Sequence, residues 1–391
     1  MRVAIIAEHV DTRRGGAETS VMEMARELSE LDLDVTILAS GERAAIENLG
    51  DALRIERIPV RGFLRVVRSM RFVQRVDALC RKRKFDIVHA VTPCLSCDVY
   101  QPRGGLYPEA MLRSLLIEGS PFERVLRLLG RILNPRPRLL RGLENRLLSR
   151  EDPPWIAAVS DLVRRQVLER RPEYSEHKVR VVFNGVGIDP GSEIERGAWR
   201  RRVRSRLGIE TREPVILFVA HNFRLKGLRQ LINALALQDS RGNPIGAHLI
   251  VAGRGKPGLY RRFAQRLGIA GLLHFVGASD DVRELYAAAD VLAHPTWYDP
   301  CSRVVLEALL CGLPVVTTRF NGAAEILSGC DAQRGLIDRP DASALHDALR
   351  HVLEHAALGR THAGDGALAA RLSITRHAEE LRELYTQVRA Q

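Results

Sequence analysis

Residues 294–316 read HPTWYDPCSRVVLEALLCGLPVV, and this stretch says more about the fold than any other part of the chain. It predicts a strand that ends near His294, a loop that carries Asp299, and a helix that begins around residue 301 or 302 and holds Glu307 in its second turn. The first turn of a helix offers backbone N–H groups to phosphate oxygens. Here those groups belong to Cys301, Ser302, Arg303 and Val304. The stretch therefore predicts a phosphate site beside the carboxyl end of a strand.

Two carboxylates flank this predicted phosphate site. Asp299 precedes the helix and Glu307 lies inside it, so each can accept hydrogen bonds from hydroxyl groups on one side of a diphosphate. Glu307 stands among apolar helix residues, where a carboxylate needs a partner. The spacing indicates a ligand with sugars on both sides of a diphosphate.

Short apolar runs rich in β-branched residues alternate with helical patterns along the chain, which is typical of parallel sheets. The alternation of apolar runs and helical patterns begins again after a Gly- and Pro-rich stretch at 184–191. This indicates that the 391 residues form two domains. We predict an α/β fold with a first domain over 1–187 and a second over 188–373, and we expect the helical segment 374–391 to return to the first. The predicted strands are Val3–Ala7, Val35–Ala39, Ile87–Val91, Ile156–Val159, Val179–Phe183, Val215–Ala220, His248–Ala252, Leu273–Val276, Val291–His294 and Pro314–Thr318.

Two strand-to-helix loops carry further candidates. Gly15 and Gly16 precede a helical pattern, and their N–H groups suit a phosphate or an acceptor oxygen. The pattern is not GxGxxG, and no acidic residue ends the second strand, so a dinucleotide-dependent dehydrogenase is disfavoured. Arg224 and Lys226 follow the first strand of the second domain, where two cations suit a diphosphate; the alternative is two solvated loop cations.

The chain carries 59 Lys and Arg against 47 Asp and Glu, a formal charge of +12, which indicates an acidic partner. A predicted helix over 61–84 repeats arginine every three or four residues and lines another face with Val66, Met70, Val73 and Val76. A second basic stretch, 121–133, contains Arg124, Arg127 and Arg131. Basic amphipathic helices lie on anionic membranes, although a helix docked on the sheet with a solvated basic face is the equal alternative.

Other partner classes and compartments are less favoured. Nucleic acid is disfavoured because aromatic residues make up only 5% of the chain and do not interleave with the arginines. No run approaches the roughly 18 uncharged apolar residues of a spanning helix, the six cysteines are scattered, and the start of the chain does not read as a signal peptide. We therefore expect a cytoplasmic protein, peripheral on the inner face of the membrane if the basic helices bind lipid.

The second half resembles glycosyltransferase family 4, the retaining group with the GT-B fold, in which two Rossmann-like domains face a cleft; the likeness extends more loosely through the whole chain. The family's E-x7-E signature matches Asp299 through Glu307, with aspartate in place of the first glutamate. Other matches, in order, are Arg224–Gly227, Val251–Gly253, Phe275–Gly277, Ala287–Val291 and Gly312–Val315.

The resemblance implies a role for each matched position. Glu307 would hold the ribose, Asp299 the transferred sugar, and Arg224 with Lys226 the diphosphate. The backbone of Val276 and Gly277 would contact the base, and the Gly15–Gly16 loop would face the reaction centre. Many relatives carry two histidines after the strand that corresponds to 87–91, whereas this chain keeps only His89. His89 is therefore either a site residue or a buried, hydrogen-bonded histidine.

Within the family, the likeness is greatest to the lipopolysaccharide-core α-1,3-glucosyltransferases, through Asp98–Tyr100 and Phe223–Gly227. It implies transfer of a hexose such as glucose, with retention, from a UDP-sugar to a saccharide or lipid-linked acceptor. In a front-face displacement the departing diphosphate takes the acceptor's proton, so no cofactor and no metal is expected. The alternatives are a sugar-nucleotide 2-epimerase of the same fold and a basic nucleic-acid-binding protein.

Overall fold

The computed structural model describes residues 1–11, 15–41, 43, 45–117, 130, 134–239, 241–279, 281–327, 335–356 and 366–391. The described chain forms two compact units: unit 1 is Met1–Gly187 with Leu372–Gln391, and unit 2 is Ile188–Arg371. Each unit is built on a largely parallel sheet. The α/β fold class is thereby confirmed, while the acceptor and donor roles of the two domains stay predictions.

Unit 1 contains eight strands and six helices among its described residues. The strands are β1 (Arg2–Ile6), β2 (Asp34–Gly41), β3 (Ala45–Asn48), β4 (Leu53–Pro59), β5 (Ile87–Ala90), β6 (Val99–Tyr100), β7 (Trp155–Ala158) and β8 (Val179–Val181). The helices are α1 (Gly16–Glu30), α2 (Arg65–Lys82), α3 (Tyr107–Leu116), α4 (Arg136–Leu148), α5 (Asp161–Arg170) and α13 (Ile374–Ala390). The strand order is β3-β4-β2-β1-β5-β6-β7-β8, with only β3 antiparallel to its neighbour.

Unit 2 repeats this architecture. Its strands are β9 (Val215–Val219), β10 (His248–Ala252), β11 (Leu273–Gly277), β12 (Val291–His294), β13 (Val315–Thr318) and β14 (Leu336–Ile337). Its described helices are α6 (Glu193–Leu207), α7 (Leu228–Ala236), α8 (Pro257–Arg266), α9 (Arg283–Ala288), α10 (Arg303–Leu310), α11 (Ala342–Ala356) and α12 (Gly366–Leu372), which runs one residue past the unit. The strand order is β11-β10-β9-β12-β13-β14, and all described pairs are parallel.

The ten predicted strands are all present, with ends that differ by at most two residues. Because helices cover a parallel sheet on both faces, its strands are continuous apolar runs, which are easy to recognise in the sequence. The strands β3, β4, β6 and β14 were not predicted. β4 reads LRIERIP, and two of its arginines pair across the sheet with acids, Arg54 with Asp34 and Arg57 with Glu47.

Helix α2 begins at Arg65 and ends at Lys82, within the predicted 61–84, and it also differs from its prediction in one face. Its buried side is formed by Ser69, Phe72, Val73 and Val76, whereas Met70, predicted on the apolar face, is 49% exposed. The exposed side carries the predicted arginines. The second basic stretch, with Arg124, Arg127 and Arg131, lies outside the described residues.

The segment Leu372–Gln391 packs within unit 1. Leu381, Leu384 and Tyr385 of α13 are buried in the same apolar core as β1, β2 and α1. Each buried side chain of this size stabilises the fold by roughly 1.5–3 kcal/mol. The strand-like bridge between Val186 and Ser373 joins the two stretches of the unit. Gly185 permits this approach, because a Cβ there would lie 2.5 Å from the carbonyl oxygen of Ser373.

Candidate active site

The strand order of unit 2 determines where its loops separate. The chain leaves β9 toward β10 on one side, and β12 pairs with β9 on the other. In such a sheet ligands bind beyond the carboxyl ends of the strands at the point where the strand order reverses. The loop after β9 holds Arg224 and Lys226, and the loop after β12 holds Asp299. The predicted phosphate-binding cations and the predicted sugar-binding carboxylate thus follow neighbouring strands.

The two loops contact each other directly. The backbone N–H of Trp297 donates to the carbonyl oxygen of Leu225 at 2.9 Å. Gly227 has a φ of 80°, and a Cβ at this position would lie 2.0 Å from the carbonyl oxygen of Pro295. Glycine is therefore required both for its conformation and for the close approach of the second loop.

Lys226 and Asp299 form an ion pair at this contact. Nζ of Lys226 lies 2.6 Å from Oδ2 of Asp299 and also donates to the carbonyl oxygen of Tyr298 at 3.1 Å. Oδ2 of Asp299 further meets Nε2 of His294 at 3.3 Å, and the same nitrogen lies 3.2 Å from Oγ of Ser302. A chain of polar contacts therefore joins the β9 loop, the end of β12 and the residue before α10.

The charges in this chain of contacts are fixed by its surroundings. Burial would raise the pKa of Asp299, but Lys226 and His294 outweigh it and hold that pKa well below its usual range. Burial lowers the pKa of His294, so its imidazole is neutral near pH 7. A neutral ring that meets a carboxylate at Nε2 carries its proton there, and Nδ1 is buried without a partner among the described residues.

Glu307 is held by two neighbours inside unit 2. The hydroxyl of Tyr286, on α9, donates to Oε2 at 2.8 Å, and Nε of Arg303 donates to Oε1 at 2.5 Å. Glu307 is buried, as its place in an apolar helix required. Burial and the adjacent Glu307 carboxylate raise the pKa of Tyr286 well above its usual value, so this phenol stays a donor.

The start of α10 differs from the prediction in two ways. The helix begins at Arg303 rather than at residue 301 or 302. The N–H of Ser302, predicted to be available to phosphate, donates instead to Oδ1 of Asn321 at 3.1 Å. Val304 and the other predicted residues, Cys301 and Arg303, lie at this helix start as expected. Their contact with a phosphate stays a prediction.

The remaining candidates of unit 2 lie at exposed strand ends. Arg224 is exposed and makes no ion pair within the described residues, in contrast to Lys226. Val276 is half-buried and Gly277, with a φ of 78°, is exposed at the end of β11. The carbonyl oxygen of Gly277 accepts the N–H of Gly253 at 2.6 Å, which fixes the ends of β10 and β11 together.

The candidates of unit 1 fall into two groups. Gly15 and Gly16 form the start of α1, with both N–H and hydroxyl of Thr19 donating to the carbonyl oxygen of Gly15. His89 is fully buried in β5, where its Nδ1 lies 2.5 Å from the hydroxyl of Tyr385. Burial lowers its pKa to about 3. The geometry is that of a packed, neutral histidine, which weighs against the predicted catalytic role.

The short motif at 98–100 is also internal. Oδ2 of Asp98 accepts the N–H of Val88 at 2.7 Å, and the hydroxyl of Tyr100 donates to Oε1 of Glu144 at 2.7 Å. These contacts connect strands and helices of unit 1.

Three residues that organise the site escaped the sequence prediction: His294, Tyr286 and Asn321. His294 had a usable signal, since a polar residue at the carboxyl end of a buried parallel strand faces the ligand edge. Tyr286 and Asn321 had none, because their partners lie 21 and 19 residues away in the sequence. Among the residues described, no group of three potential metal ligands comes together, and no helix is long and apolar enough to cross a membrane.

Comparison with known proteins adds to this geometry. Residues 14–189 match a family model described as Glycosyltransferase Family 4, and residues 213–355 match one described as Glycosyl transferases group 1. Together the two models span well over half of the chain. The chain therefore carries a domain that matches Glycosyltransferase Family 4, followed by one that matches Glycosyl transferases group 1.

Two curated proteins are similar to this chain. It is 31% identical over 201 residues to the lipopolysaccharide glucosyltransferase WaaG of Escherichia coli K12, which covers 50% of this chain and 53% of WaaG. The match thus spans about half the length of that relative. It is 26% identical over 394 residues to a D-inositol 3-phosphate glycosyltransferase of Corynebacterium urealyticum, covering 90% of this chain and 87% of that one.

Solved structures confirm the GT-B fold. A crystal structure of WaaG, described as a glycosyltransferase involved in lipopolysaccharide biosynthesis, matches with a TM-score of 0.71 at 22% identity over 99% of this chain and 97% of WaaG. Anabaena HepE, in complex with UDP and glucose, matches with a TM-score of 0.70 at 19% identity over 99% of this chain and all of HepE.

Proposed function

We propose that this chain is a retaining hexosyltransferase of family 4 type that moves glucose from UDP-glucose to a hydroxyl of a saccharide or lipid-linked acceptor such as lipopolysaccharide core. The observation that carries the proposal is the convergence of Lys226, Asp299 and the start of α10 where the strand order of unit 2 reverses. A cation, a carboxylate and a helix N-terminus at this place suit a sugar diphosphate.

Each donor group has a proposed partner in unit 2. The diphosphate is bound by Lys226, by the exposed guanidinium of Arg224 and by the first turn of α10. Glu307, already fixed by Tyr286, accepts the ribose hydroxyls. The backbone at Val276 and Gly277 contacts the base. Gly15 and Gly16 lie toward the acceptor.

The proposed chemistry is a front-face displacement. The bond between the anomeric carbon and the diphosphate oxygen breaks, the acceptor oxygen attacks from the same face, and its proton passes to the departing diphosphate. The protein positions the two substrates and stabilises the negative charge that develops on the leaving group through Lys226 and Arg224. The donor is a substrate, and the proposal includes no cofactor or metal.

Relatives support the choice of donor and acceptor. HepE was solved with UDP and glucose, and WaaG is named a lipopolysaccharide glucosyltransferase. The inositol phosphate relative marks a second acceptor class, which also carries negative charge.

An anionic membrane surface is the proposed location of the acceptor. Arg65 and Arg68 of α2 are exposed, and the two residues before this helix, Phe63 and Leu64, are 100% and 57% exposed. Arginines beside exposed apolar side chains are the composition of a helix that lies at a lipid interface. The proposed location is therefore cytoplasmic and peripheral to the membrane.

A hydrolysis and transfer screen over UDP-, GDP- and ADP-sugars tests the proposal. We expect UDP release from UDP-glucose, stimulated by acceptor, with the α configuration in the product by NMR and with activity retained in EDTA. A β-linked product contradicts retention, and absence of turnover or binding for every nucleotide sugar contradicts the transferase. Conversion of the donor sugar to its 2-epimer without an acceptor would identify the epimerase instead.

A further inference from the structure

The carboxylate of Asp299 is already engaged within the protein. Its Oδ2 contacts the ammonium of Lys226 at 2.6 Å and Nε2 of His294 at 3.3 Å, and the side chain is only 14% exposed. The family resemblance assigns this position to the transferred sugar. In this chain the position holds an aspartate, one methylene shorter than glutamate, and the shorter side chain turns to Lys226.

We propose that Asp299 and His294 are positioning residues that orient Lys226 toward the donor diphosphate, and that Asp299 does not bind the transferred sugar. This inference rests on the proposed function, because it requires a nucleotide-sugar donor in unit 2. It changes the role of one carboxylate and adds a histidine to the residues that determine turnover.

The backbone of Asp299 keeps its carboxylate close to Lys226. The N–H of Asp299 donates to the carbonyl oxygen of Phe320 at 2.9 Å, and its own carbonyl oxygen accepts the N–H of Gly322 at 2.9 Å. With the backbone held on both sides, only two side-chain torsions remain. To reach a sugar hydroxyl, the carboxylate would have to give up a charge-assisted bond to the ammonium.

The ammonium has three N–H donors, and two of them have acceptors among the residues that the structure describes. One goes to Asp299 and one to the carbonyl oxygen of Tyr298. An ammonium held by two acceptors directs its third N–H along a defined line, which is what a leaving diphosphate requires. Asp299 therefore contributes to catalysis through the direction of Lys226.

His294 connects this pair to the helix that receives the phosphate. Its ring is 2% exposed and neutral, and its Nε2 lies between Oδ2 of Asp299 and Oγ of Ser302, the residue that precedes α10. A charged side chain here would alter the net charge of the pair, and an apolar one would leave Asp299 with a single partner. A neutral donor fixes the carboxylate without competing with Lys226 for charge.

Binding of UDP and UDP-glucose by calorimetry separates the two roles of Asp299. If the carboxylate acts through Lys226, Asp299→Asn weakens both ligands by the same factor, roughly tenfold, since both carry the diphosphate. If it binds the sugar, only UDP-glucose weakens. Uridine, which lacks phosphate, serves as the control and should bind all variants alike. A loss confined to UDP-glucose, or unchanged or tighter UDP binding, overturns the inference.

A double-mutant cycle tests the dependence on Lys226. In the Lys226→Met background, Asp299→Asn should no longer weaken binding of either ligand, because the ammonium that it positions is gone. A carboxylate that contacts the sugar would still discriminate UDP-glucose from UDP in that background. Persistence of such discrimination contradicts the positioning role.

Three substitutions test the positioning role of His294: one that removes its hydrogen bond, one that replaces it, and one at a control histidine. His294→Leu should weaken UDP and UDP-glucose alike and lower kcat, whereas His294→Gln, whose amide N–H can replace Nε2–H, should restore both to within about threefold. His346 is a second buried histidine of unit 2, bonded to the carbonyl oxygen of Ala234 at 3.0 Å. His346→Leu should lower the melting temperature and leave UDP binding unchanged.

The outcomes also distinguish this inference from the proposed function. Native protein that binds no nucleotide sugar ends the proposed function and this inference with it. Native protein that binds UDP-glucose, together with a His294→Leu variant that loses only thermal stability, leaves the function intact and overturns the positioning role of His294.

Discussion

His89 and His294 occupy corresponding places in the two sheets but contact different partners. Each lies at or next to the carboxyl end of the strand that pairs with the central strand, β5 beside β1 and β12 beside β9. Both are buried, and burial lowers both pKa values. His89 meets the hydroxyl of Tyr385 on a helix, while His294 meets Asp299 in a loop beside Lys226. The two histidines thus differ in the element that supplies the partner, a helix for His89 and a loop beside Lys226 for His294.

The contrast extends to the polar groups around each histidine. In unit 1, Arg103 donates to Nε2 of His377 at 2.9 Å and to Oε1 of Gln101 at 2.8 Å, and Nδ1 of His377 lies 2.9 Å from the carbonyl oxygen of Phe183. These bonds hold the segment Leu372–Gln391 in unit 1. In unit 2 the comparable groups meet in loops at the ligand edge of the sheet. Buried polar groups thus bond within the core in unit 1, and in unit 2 they meet between loops.

The largest expected difference between the units is in turnover. Lys226→Ala and Glu307→Ala should each abolish efficient transfer, and for Lys226 the loss in kcat/KM should be equivalent to about 2–4 kcal/mol of transition-state stabilisation, the size found when one charge-stabilising group is removed. This corresponds to roughly 30- to 1,000-fold. Initial rates with UDP-glucose measure the loss, and circular dichroism checks that the fold remains. Near-native turnover of either variant at saturating donor would remove these residues from the site.

A buried carboxyl gives unit 1 a pH dependence of its own. Glu144 is 1% exposed, and burial raises its pKa from 4.5 to about 7, although Tyr100 and the N–H of Tyr107 bond to it. Because the pKa of Glu144 is higher in the folded than in the unfolded protein, its contribution to the free energy of unfolding is fully present below pH 4.5. This contribution is lost as the pH rises through 7. The loss amounts to about 3 kcal/mol.

Glu144→Gln should remove this dependence. The difference in unfolding free energy between the native protein and the variant should change by about 3 kcal/mol between pH 4.5 and 8. We compare the two proteins because the buried histidines, whose pKa values are lowered, change the stability with pH in the opposite direction. Their effect is the same in both proteins and cancels in the difference. A constant difference across this range would contradict a raised pKa for Glu144.

Surface arginines also distinguish the units. In unit 2, the half-buried Arg200 and the buried Arg204 share Asp290, whereas Arg65 and Arg68 of α2 are exposed and make no ion pair within the described residues. If these two arginines contact anionic lipid, Arg65→Gln with Arg68→Gln should cost about 1 kcal/mol each, or roughly 30-fold in vesicle partitioning at low salt. Sedimentation with vesicles containing phosphatidylglycerol measures it.

The matched control for α2 is the pair Arg201→Gln with Arg206→Gln on α6, two exposed arginines of unit 2 that make no ion pair within the described residues. It should leave vesicle binding unchanged. Native protein that ignores anionic vesicles at low salt would make the arginines of α2 a solvated face and favour a soluble acceptor.

The smallest expected effect concerns the packing histidine. Tyr385→Phe deletes the hydroxyl that meets Nδ1 of His89 and should cost about 1 kcal/mol of stability. Donor binding should not change. Chemical denaturation and UDP calorimetry together check this. A loss of turnover at unchanged stability would instead return His89 to the reaction.

The sequence predicts the parts of this molecule that depend on local patterns. Continuous apolar runs predict the parallel strands, and the segment from Asp299 to Glu307 predicts a site, because both signals lie within a few residues of chain. The exposed edge strand β3 and the charged strand β4 lack such a pattern. The N–H of Ser302 was misjudged because its acceptor, Asn321, arrives from the loop after β13. The engagement of Asp299 by Lys226 depends on a contact across 73 residues.

The division of unit 1 into two stretches of chain has a consequence for biosynthesis. Residues 1–187 leave the ribosome first, but the apolar surface that receives Leu381 and Tyr385 stays uncovered until Ile188–Arg371 has been made. At about 5–20 residues per second, this interval lasts roughly 10–40 s. Unit 2 is a single stretch of chain and can fold as it emerges, whereas the core of unit 1 is incomplete until Leu372–Gln391 has been made. We therefore expect substitutions on the apolar face of α13 to lower the yield of folded protein in the cell.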